Sequence, residues 1–185
     1  MTTHTTALVI VDAQAGFINR HSAHAVPALT RLVTAWADLG LPTVFTRFSN
    51  PPGSPYERIT GWTALRTPAE QRIVDELTPY TGTAAAIIDK TSSNALTPEF
   101  TQLINQCGWT DLVLAGIDTD ACVYDTAIAA YHRGLQPWIV TDACASSGGS
   151  EYHDAALLLT KRNISRSHVL TAKALLSGSA GPLKE

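Results

Sequence analysis

The chain has 185 residues, of which 45% are hydrophobic and 16% are charged, and this balance excludes a disordered protein. At this length we expect one domain over residues 1–185 with a substantial buried core. The formal net charge of −3 and the lack of any Lys/Arg cluster exclude the basic surface that nucleic-acid-binding proteins use.

The first half of the chain alternates apolar runs with helical patterns. ALVIVD, residues 7–12, is a β-branched run that predicts a strand covered on both faces, and a helix follows over about 26–39. TVFTRF, residues 43–48, predicts a second strand. Residues 49–61 are rich in proline and glycine, so they predict an excursion, and a helix is expected from Pro68 to about residue 77.

The second half continues the alternation with four strands and three helices. The predicted strands cover residues 85–90, 111–117, 137–143 and 167–172. The predicted helices cover about 98–106, 122–133 and 150–162, the last with Ser150 as its N-cap. Strands that alternate with helices in this way predict an α/β fold, with a parallel sheet and helices on both faces.

The N-terminal residues and the cysteines predict a cytoplasmic protein. The apolar run 7–11 has no basic segment before it and is too short for a signal peptide or a membrane span. The chain has three cysteines, Cys107, Cys122 and Cys144. An odd number without C-x-x-C spacing predicts reduced thiols and no structural zinc. No dinucleotide or P-loop signature is present, so we expect no cofactor.

Three complementary side chains follow predicted strands. Asp12 ends the first strand, Lys90 ends the third, and Cys122 follows the fourth. In open α/β sheets, ligands bind at the carboxyl ends of the strands. A single aspartate there is more often a cap than a catalyst, but an acid, a cation and a thiol together indicate an active site.

Cys122 is predicted in the first helical turn, with Thr119 or Asp120 as the N-cap, near the positive end of the helix dipole. A cysteine with an ordinary pKa near 8.5 is only about 3% thiolate at pH 7. Lowering that pKa to roughly 6 corresponds to ~3.4 kcal/mol, whereas a helix end supplies at most ~2 kcal/mol. A second cation is therefore needed, and Lys90 is the candidate.

These segments resemble the isochorismatase-like cysteine hydrolases, which include nicotinamidases and N-carbamoylsarcosine amidase. The resemblance rests on VIVDAQAGF (9–17), DK (89–90) and AGIDTDACVYDTA (115–127) in this order. It continues through VTDACAS (140–146) and His153, and so covers nearly the whole chain. The resemblance implies a three-layer α/β/α sandwich with a six-stranded parallel sheet, and a homo-oligomer, either a dimer or a tetramer.

The resemblance also implies a catalytic triad of Asp12, Lys90 and Cys122. Cys122 would attack a carbonyl or similar carbon, while Asp12 would take the thiol proton and pass it to the leaving amine. Lys90 would hold both groups electrostatically. The family's non-proline cis peptide would fall at Ile117–Asp118, and the backbone N–H groups of Asp118 and Cys122 would form an oxyanion hole.

Some positions depart from the family pattern. Metal-binding nicotinamidases carry Asp-x-His after the second strand, whereas this chain has residues 47–50, RFSN, so zinc is not expected and nicotinamidase activity is less favoured. Residues 94–96, NAL, replace a frequent Ser-Ala-Phe and leave the substrate specificity open. The presence of Cys122 argues against the vinyl-ether cleavage of isochorismatases that lack the cysteine.

Four side chains are candidates for substrate contact, because such cavities are mostly apolar with few polar groups. Phe17 matches an aromatic position of the family, and Trp62 lies in the excursion. Tyr124 fits core packing equally well. Asp118 either points away as an acceptor in the helix turn or binds a cationic or amide N–H group of the substrate.

The sequence thus predicts a hydrolase of a small amide, ureido or related C–N bond that acts through a thioester. Two alternatives remain open: a non-hydrolytic small-molecule binding protein with an unreactive Cys122, and a thiol redox sensor. A redox sensor needs a resolving cysteine, for which only Cys107 and Cys144 are available, and both are expected to be packing residues. His153 is expected to be a structural residue.

Overall fold

The computed structural model describes residues 5–183 and contains a six-stranded sheet in which all neighbouring strands are parallel. The strand order is β3-β2-β1-β4-β5-β6. The strands are β1 (Thr6–Val11), β2 (Thr43–Phe48), β3 (Ala86–Lys90), β4 (Asp111–Ile117), β5 (Gln136–Ala145) and β6 (Val169–Leu170). The predicted parallel α/β fold with six strands is confirmed.

Helices connect the strands and cover both faces of the sheet. They are α1 (Val26–Asp38), α2 (Pro68–Gln71), α3 (Thr78–Thr81), α4 (Pro98–Cys107), α5 (Tyr124–His132), α6 (Ser150–Asn163) and α7 (Ala172–Leu176). Because crossovers between parallel strands are almost always right-handed, the strand order puts α1 to α3 on one face and α4 to α6 on the other. Within residues 5–183, no helix has the length and apolar character that crossing a membrane requires.

The central strand β1 lies between β2 and β4 and is buried along its whole length. Helix layers on both faces exclude water from it, which is why its sequence is apolar throughout. The largest fully buried side chains around it include Trp36, Phe45 and Phe100. The carboxyl end of β1 is therefore a rigid position for a functional side chain.

The helix predicted over residues 68–77 ends at Gln71. Ile73 instead pairs with Gln14 in an isolated antiparallel bridge, and the Ala15 N–H donates to the Arg72 carbonyl at 2.8 Å. The Gln14 side chain donates to the carbonyls of Phe48 (3.0 Å) and Gln71 (2.8 Å), and its own carbonyl accepts from the Phe48 N–H at 2.7 Å. Tertiary pairing thus overrides the local helical pattern.

Two further expectations about element ends were wrong. Gly149, with φ 131°, occupies the N-cap position of α6, and Ser150 is the first helical residue. The sixth strand, expected over residues 167–172, covers only Val169–Leu170, because a 3₁₀ turn precedes it and α7 follows it.

Candidate active site

Asp12 follows β1 and is completely buried, with a left-handed backbone at φ 47°. The Thr46 hydroxyl on the neighbouring strand β2 donates to Asp12 Oδ1 at 2.6 Å, and the Asp12 N–H donates to the same hydroxyl at 3.1 Å. These two bonds fix the carboxylate from both its backbone and its side chain. The second oxygen, Oδ2, remains directed toward the other members of the predicted triad.

Lys90, the last residue of β3, is buried beside this carboxylate. Its Nζ lies 2.6 Å from Asp12 Oδ2 and donates to the carbonyls of Ser92 and Ser93, each at 2.9 Å. Burial alone would lower the pKa of Lys90, but the charge of Asp12 and the hydrogen bond to it raise the pKa above its ordinary value. Lys90 is therefore a permanent cation in the site.

Cys122 lies in a short π-helical turn, Thr119–Val123, which precedes α5. Asp118 occupies the N-cap position without a side-chain cap bond, so the expected capping by Thr119 or Asp120 was wrong. The thiol is buried, and both Asp12 and Lys90 lie close enough to shift its pKa. The structure therefore brings all three predicted triad residues together.

Burial and the charge of Asp12 raise the pKa of Cys122 well above its ordinary value, and Lys90 opposes this rise only in part. The resting residue is thus a neutral thiol, which corrects the expectation of a lowered pKa. The physical reason is that Asp12 already balances the charge of Lys90. Moving the thiol proton to Asp12 leaves the total charge of the three groups unchanged, so the buried site can form a thiolate by this transfer.

A cavity of about 180 Å³ opens onto the Cys122 thiol. This is below the roughly 300–1,000 Å³ of pockets that hold drug-sized ligands, so the cavity suits a small substrate. The residues that line it are Phe17, Phe48, Tyr56, Trp62, Ser93, Asp118, Ala121 and Cys122. The four aromatic side chains form one packed group, with ring centroids of contacting pairs 5.3–6.2 Å apart.

The cavity includes Phe17, Trp62 and Asp118, as predicted for substrate contacts, and their contact with a substrate stays a prediction. Phe48 and Tyr56 were missed. Phe48 ends β2 at the same sheet edge as the triad, and this position in the sequence could have indicated it.

Tyr124 does not lie in this cavity, so the structure does not support its assignment to substrate binding. Its hydroxyl accepts a hydrogen bond from Asn163 at 2.8 Å, and its side chain lines a separate cavity with Asn94 and His132. Tyr124 is the first residue of α5, and its side chain is half-buried and bonded to α6 through Asn163.

The peptide bond Ile117–Asp118 is cis, as the resemblance implied. The Asp118 carboxylate accepts from the Ser147 N–H at 2.5 Å and from the Ser147 hydroxyl at 2.9 Å. Burial raises the pKa of Asp118 to about 6, although the two bonds from Ser147 act in the opposite direction. Asp118 is thus an acceptor for the segment after β5, and it still lines the cavity.

The remaining candidates lie outside the cavity. His153 Nδ1 is 2.8 Å from the Thr119 hydroxyl, which fits a structural role. Cys144 is buried, and burial raises its pKa to about 12. Cys107 is exposed at the end of α4, so its expected role in packing was wrong. Across the described residues, no group of three or more His, Cys, Asp or Glu side chains could hold a metal ion.

Thr126 links the loop after Lys90, residues 91–97 (the Lys90 loop), to the turn that carries Cys122. Its buried hydroxyl donates to the Cys122 carbonyl at 2.6 Å and accepts from the Ala95 N–H at 3.0 Å. In addition, the Ser93 hydroxyl donates to the Asp125 carboxylate. Asp125 and Thr126 of α5 therefore fix the position of the Lys90 loop, whose carbonyls accept hydrogen bonds from the Lys90 ammonium.

Replacing Thr126 by valine is expected to lower the free energy of unfolding by about 1–3 kcal/mol, because the buried Ala95 N–H loses its acceptor. Turnover should fall ~10-fold as the Lys90 loop shifts, and Thr126→Ser should restore both. Urea unfolding and kcat measure the two effects. Thr160→Val is the matched control, since Thr160 is also buried and bonds to a helical carbonyl; an equal kcat in both valine variants would contradict this role.

Known proteins resemble this chain in sequence and in fold. A model of the isochorismatase domain family matches residues 6–172. Isochorismatase domain-containing protein 2A of Mus musculus is 35% identical over 65 residues, which make up 35% of this chain and 30% of the mouse protein. The match thus spans less than a third of that relative's length.

Two crystal structures share the fold. N-carbamoylsarcosine amidase from Thermoplasma acidophilum aligns with a TM-score of 0.77 at 23% identity, over 91% of this chain and 97% of the amidase. Nicotinamidase from Bacillus subtilis aligns with a TM-score of 0.78 at 24% identity, over 90% of this chain and 99% of the nicotinamidase. Since the family match extends over most of its length, the chain belongs to the isochorismatase family.

Proposed function

We propose that the protein hydrolyses a small amide, ureido or related C–N bond through a covalent thioester on Cys122. The observation that carries this proposal is the buried ion pair of Asp12 and Lys90, 2.6 Å apart, beside a thiol at the end of an apolar cavity. A nucleophile with an adjacent base, and a third group that holds the base, is the general arrangement of covalent catalysis.

In the proposed first half-reaction, Asp12 takes the Cys122 proton as Sγ attacks the carbonyl carbon and the S–C bond forms. The backbone N–H groups of Asp118 and Cys122 are proposed to stabilise the oxyanion. Asp12 then gives its proton to the leaving nitrogen, and ammonia or an amine departs as the C–N bond breaks. The permanent charge of Lys90 stabilises the thiolate while Asp12 is protonated.

In the second half-reaction, Asp12 takes a proton from water, and the resulting hydroxide attacks the thioester carbon. The S–C bond breaks, the acid product leaves, and the proton returns to Cys122. The site therefore ends in its starting protonation state. We further propose that the protein is cytoplasmic, from its cysteine pattern, and that it is a homo-oligomer, from the family resemblance alone.

The first test is ammonia release from a panel of small amides and ureido compounds, with wild type compared with Cys122→Ala. Turnover of any member that disappears in the variant supports the proposal, and the acyl-enzyme should add the mass of the acyl group to the Cys122 peptide. Turnover that survives in Cys122→Ala would rule out the thiol as nucleophile. A panel without turnover would favour the binding-protein alternative.

A further inference from the structure

Asp118 is the one charged side chain among the described residues that line the active-site cavity. The mechanism proposed above uses its backbone N–H but leaves its carboxylate without a role. We infer that the Asp118 carboxylate selects substrates by charge: it favours small amides that carry a cation or an additional N–H donor, and it excludes those that carry a carboxylate. The inference names a substrate class and so rests on the proposed function.

The neighbouring cations are already balanced before a substrate enters. Lys90 has three N–H donors, and they face the carboxylate of Asp12 and two backbone carbonyls. Arg47 and Arg66 pair with carboxylates of their own at 2.7 and 2.8 Å. Arg58 is exposed and does not line the cavity. A carboxylate on the substrate would thus meet Asp118 without a compensating charge.

The polar side chains of the cavity also accept hydrogen bonds more readily than they donate. The Ser93 hydroxyl already donates to Asp125. Each Asp118 oxygen accepts one bond from Ser147, and a carboxylate oxygen has room for a second donor. The Tyr56 hydroxyl can donate or accept, so it does not discriminate by charge. This arrangement suits a substrate that brings N–H groups with it.

The aromatic wall and the reaction itself favour the same class. Faces of Phe, Tyr and Trp attract cations, and four such side chains line the cavity. An unbalanced Asp118 carboxylate opposes the negative charge that develops on the tetrahedral intermediate. A substrate cation near Asp118 removes this opposition. Charge selection should therefore act on the rate of the chemical step as well as on binding.

The first experiment compares two thiol reagents of equal size, neutral iodoacetamide and anionic iodoacetate, by mass spectrometry of the labelled peptides. Each forms an S–C bond as iodide leaves. Exposed Cys107 provides the reference rates within the same chain. We expect the iodoacetamide-to-iodoacetate rate ratio to be about 100-fold larger at Cys122 than at Cys107. This is the effect of repulsion between the carboxylates of Asp118 and iodoacetate if they lie about 6 Å apart at an effective dielectric constant of about 20.

Asp118→Asn should bring the ratio at Cys122 within about 5-fold of that at Cys107, since the charge is removed and the shape is kept. Asp120→Asn is the matched control, because Asp120 is an exposed carboxylate of the same turn and its removal changes the net charge equally. It should leave the ratio unchanged. A ratio at Cys122 no larger than at Cys107, or one unchanged in Asp118→Asn, would overturn the inference.

The second experiment measures binding and needs neither turnover nor a reactive thiol. Thermal shifts of Cys122→Ala are recorded with 4-aminobutanamide, butanamide and succinamate, which are cationic, neutral and anionic. We expect affinities in that order, with at least ~10-fold between the first and last, and a loss of the order in Cys122→Ala/Asp118→Asn.

Charge selection would be refuted if succinamate bound as tightly as 4-aminobutanamide. It would also be refuted if no amide bound and the alkylation ratios at Cys122 and Cys107 were equal. The two proposals fail separately. If charge selection is found without any hydrolysis, the proposed hydrolase activity is refuted and the charge-selective site is retained. If Cys122 hydrolyses succinamate and butanamide at equal rates, the hydrolase activity is retained and charge selection is refuted.

Discussion

Replacing Lys90 by methionine is expected to reduce turnover at least ~1,000-fold and to lower the free energy of unfolding by about 3–5 kcal/mol. The stability is lost because Asp12, which is completely buried, becomes an unpaired charge, and breaking a buried ion pair from one side has this effect. Activity is lost because the thiolate of Cys122 loses its stabilising cation. Urea unfolding and steady-state turnover measure the two quantities.

The double variant Asp12→Asn/Lys90→Met separates these two effects. Removing both charges together should recover most of the lost stability, since a buried pair contributes little net stability compared with neutral groups of similar volume. Turnover should stay at the level of Lys90→Met, because the proton acceptor is then also absent. Recovery of activity in the double variant, or an equal loss of stability, would contradict the assignment of Asp12 and Lys90 as a coupled pair.

Replacing Gly116 by alanine is expected to cost more than ~4 kcal/mol, a size that few single substitutions reach. Gly116 in β4 pairs with Val11 in β1 and has φ 133°. A Cβ at this position would lie 2.0 Å from the Val11 carbonyl oxygen. Because this atom belongs to the backbone beside Asp12, no side-chain rotation can relieve the contact.

Gly134→Ala is the control for this prediction. Gly134 also has a positive φ, 79°, but a Cβ there would meet no atom within 4 Å. Its cost should be about 1–2 kcal/mol, from the left-handed backbone alone. Circular dichroism and urea unfolding of both variants provide the comparison, and equal stabilities would show that the close approach of β4 to β1 is not needed for folding.

Sequence patterns predicted β1 to β5 closely, because strands covered by helices are apolar runs, whereas β6 was predicted too long. They also indicated Asp12, Lys90 and Cys122, since each lies at or after the end of a strand and the carboxyl ends of parallel strands meet at one edge. Thr46, Thr126 and Ser147 were not predicted. These residues contribute by hydrogen bonds to segments that are distant along the chain. The neighbouring sequence of a threonine or serine does not indicate such bonds.

The prediction of a lowered pKa for Cys122 was wrong. A cation and a helix end near the thiol were taken to lower its pKa, whereas the balance of charge between Lys90 and Asp12 leaves burial as the dominant influence. The extent to which one charge is already paired depends on distances of a few ångströms. Such distances follow from the packed structure and not from the order of residues.

The hydrogen bonds of Gln14 have a consequence for how substrate preference changes among related chains. One amide side chain holds the Phe48 backbone, where the excursion begins, and the Gln71 carbonyl, where it ends. The segment between them carries the half-buried Tyr56 and Trp62 and the fully buried Leu65, and these bonds hold its two ends together. Surface segments of this kind tolerate change, so substitutions at Tyr56 and Trp62 can alter part of the cavity wall while Asp12 and Cys122 keep their positions.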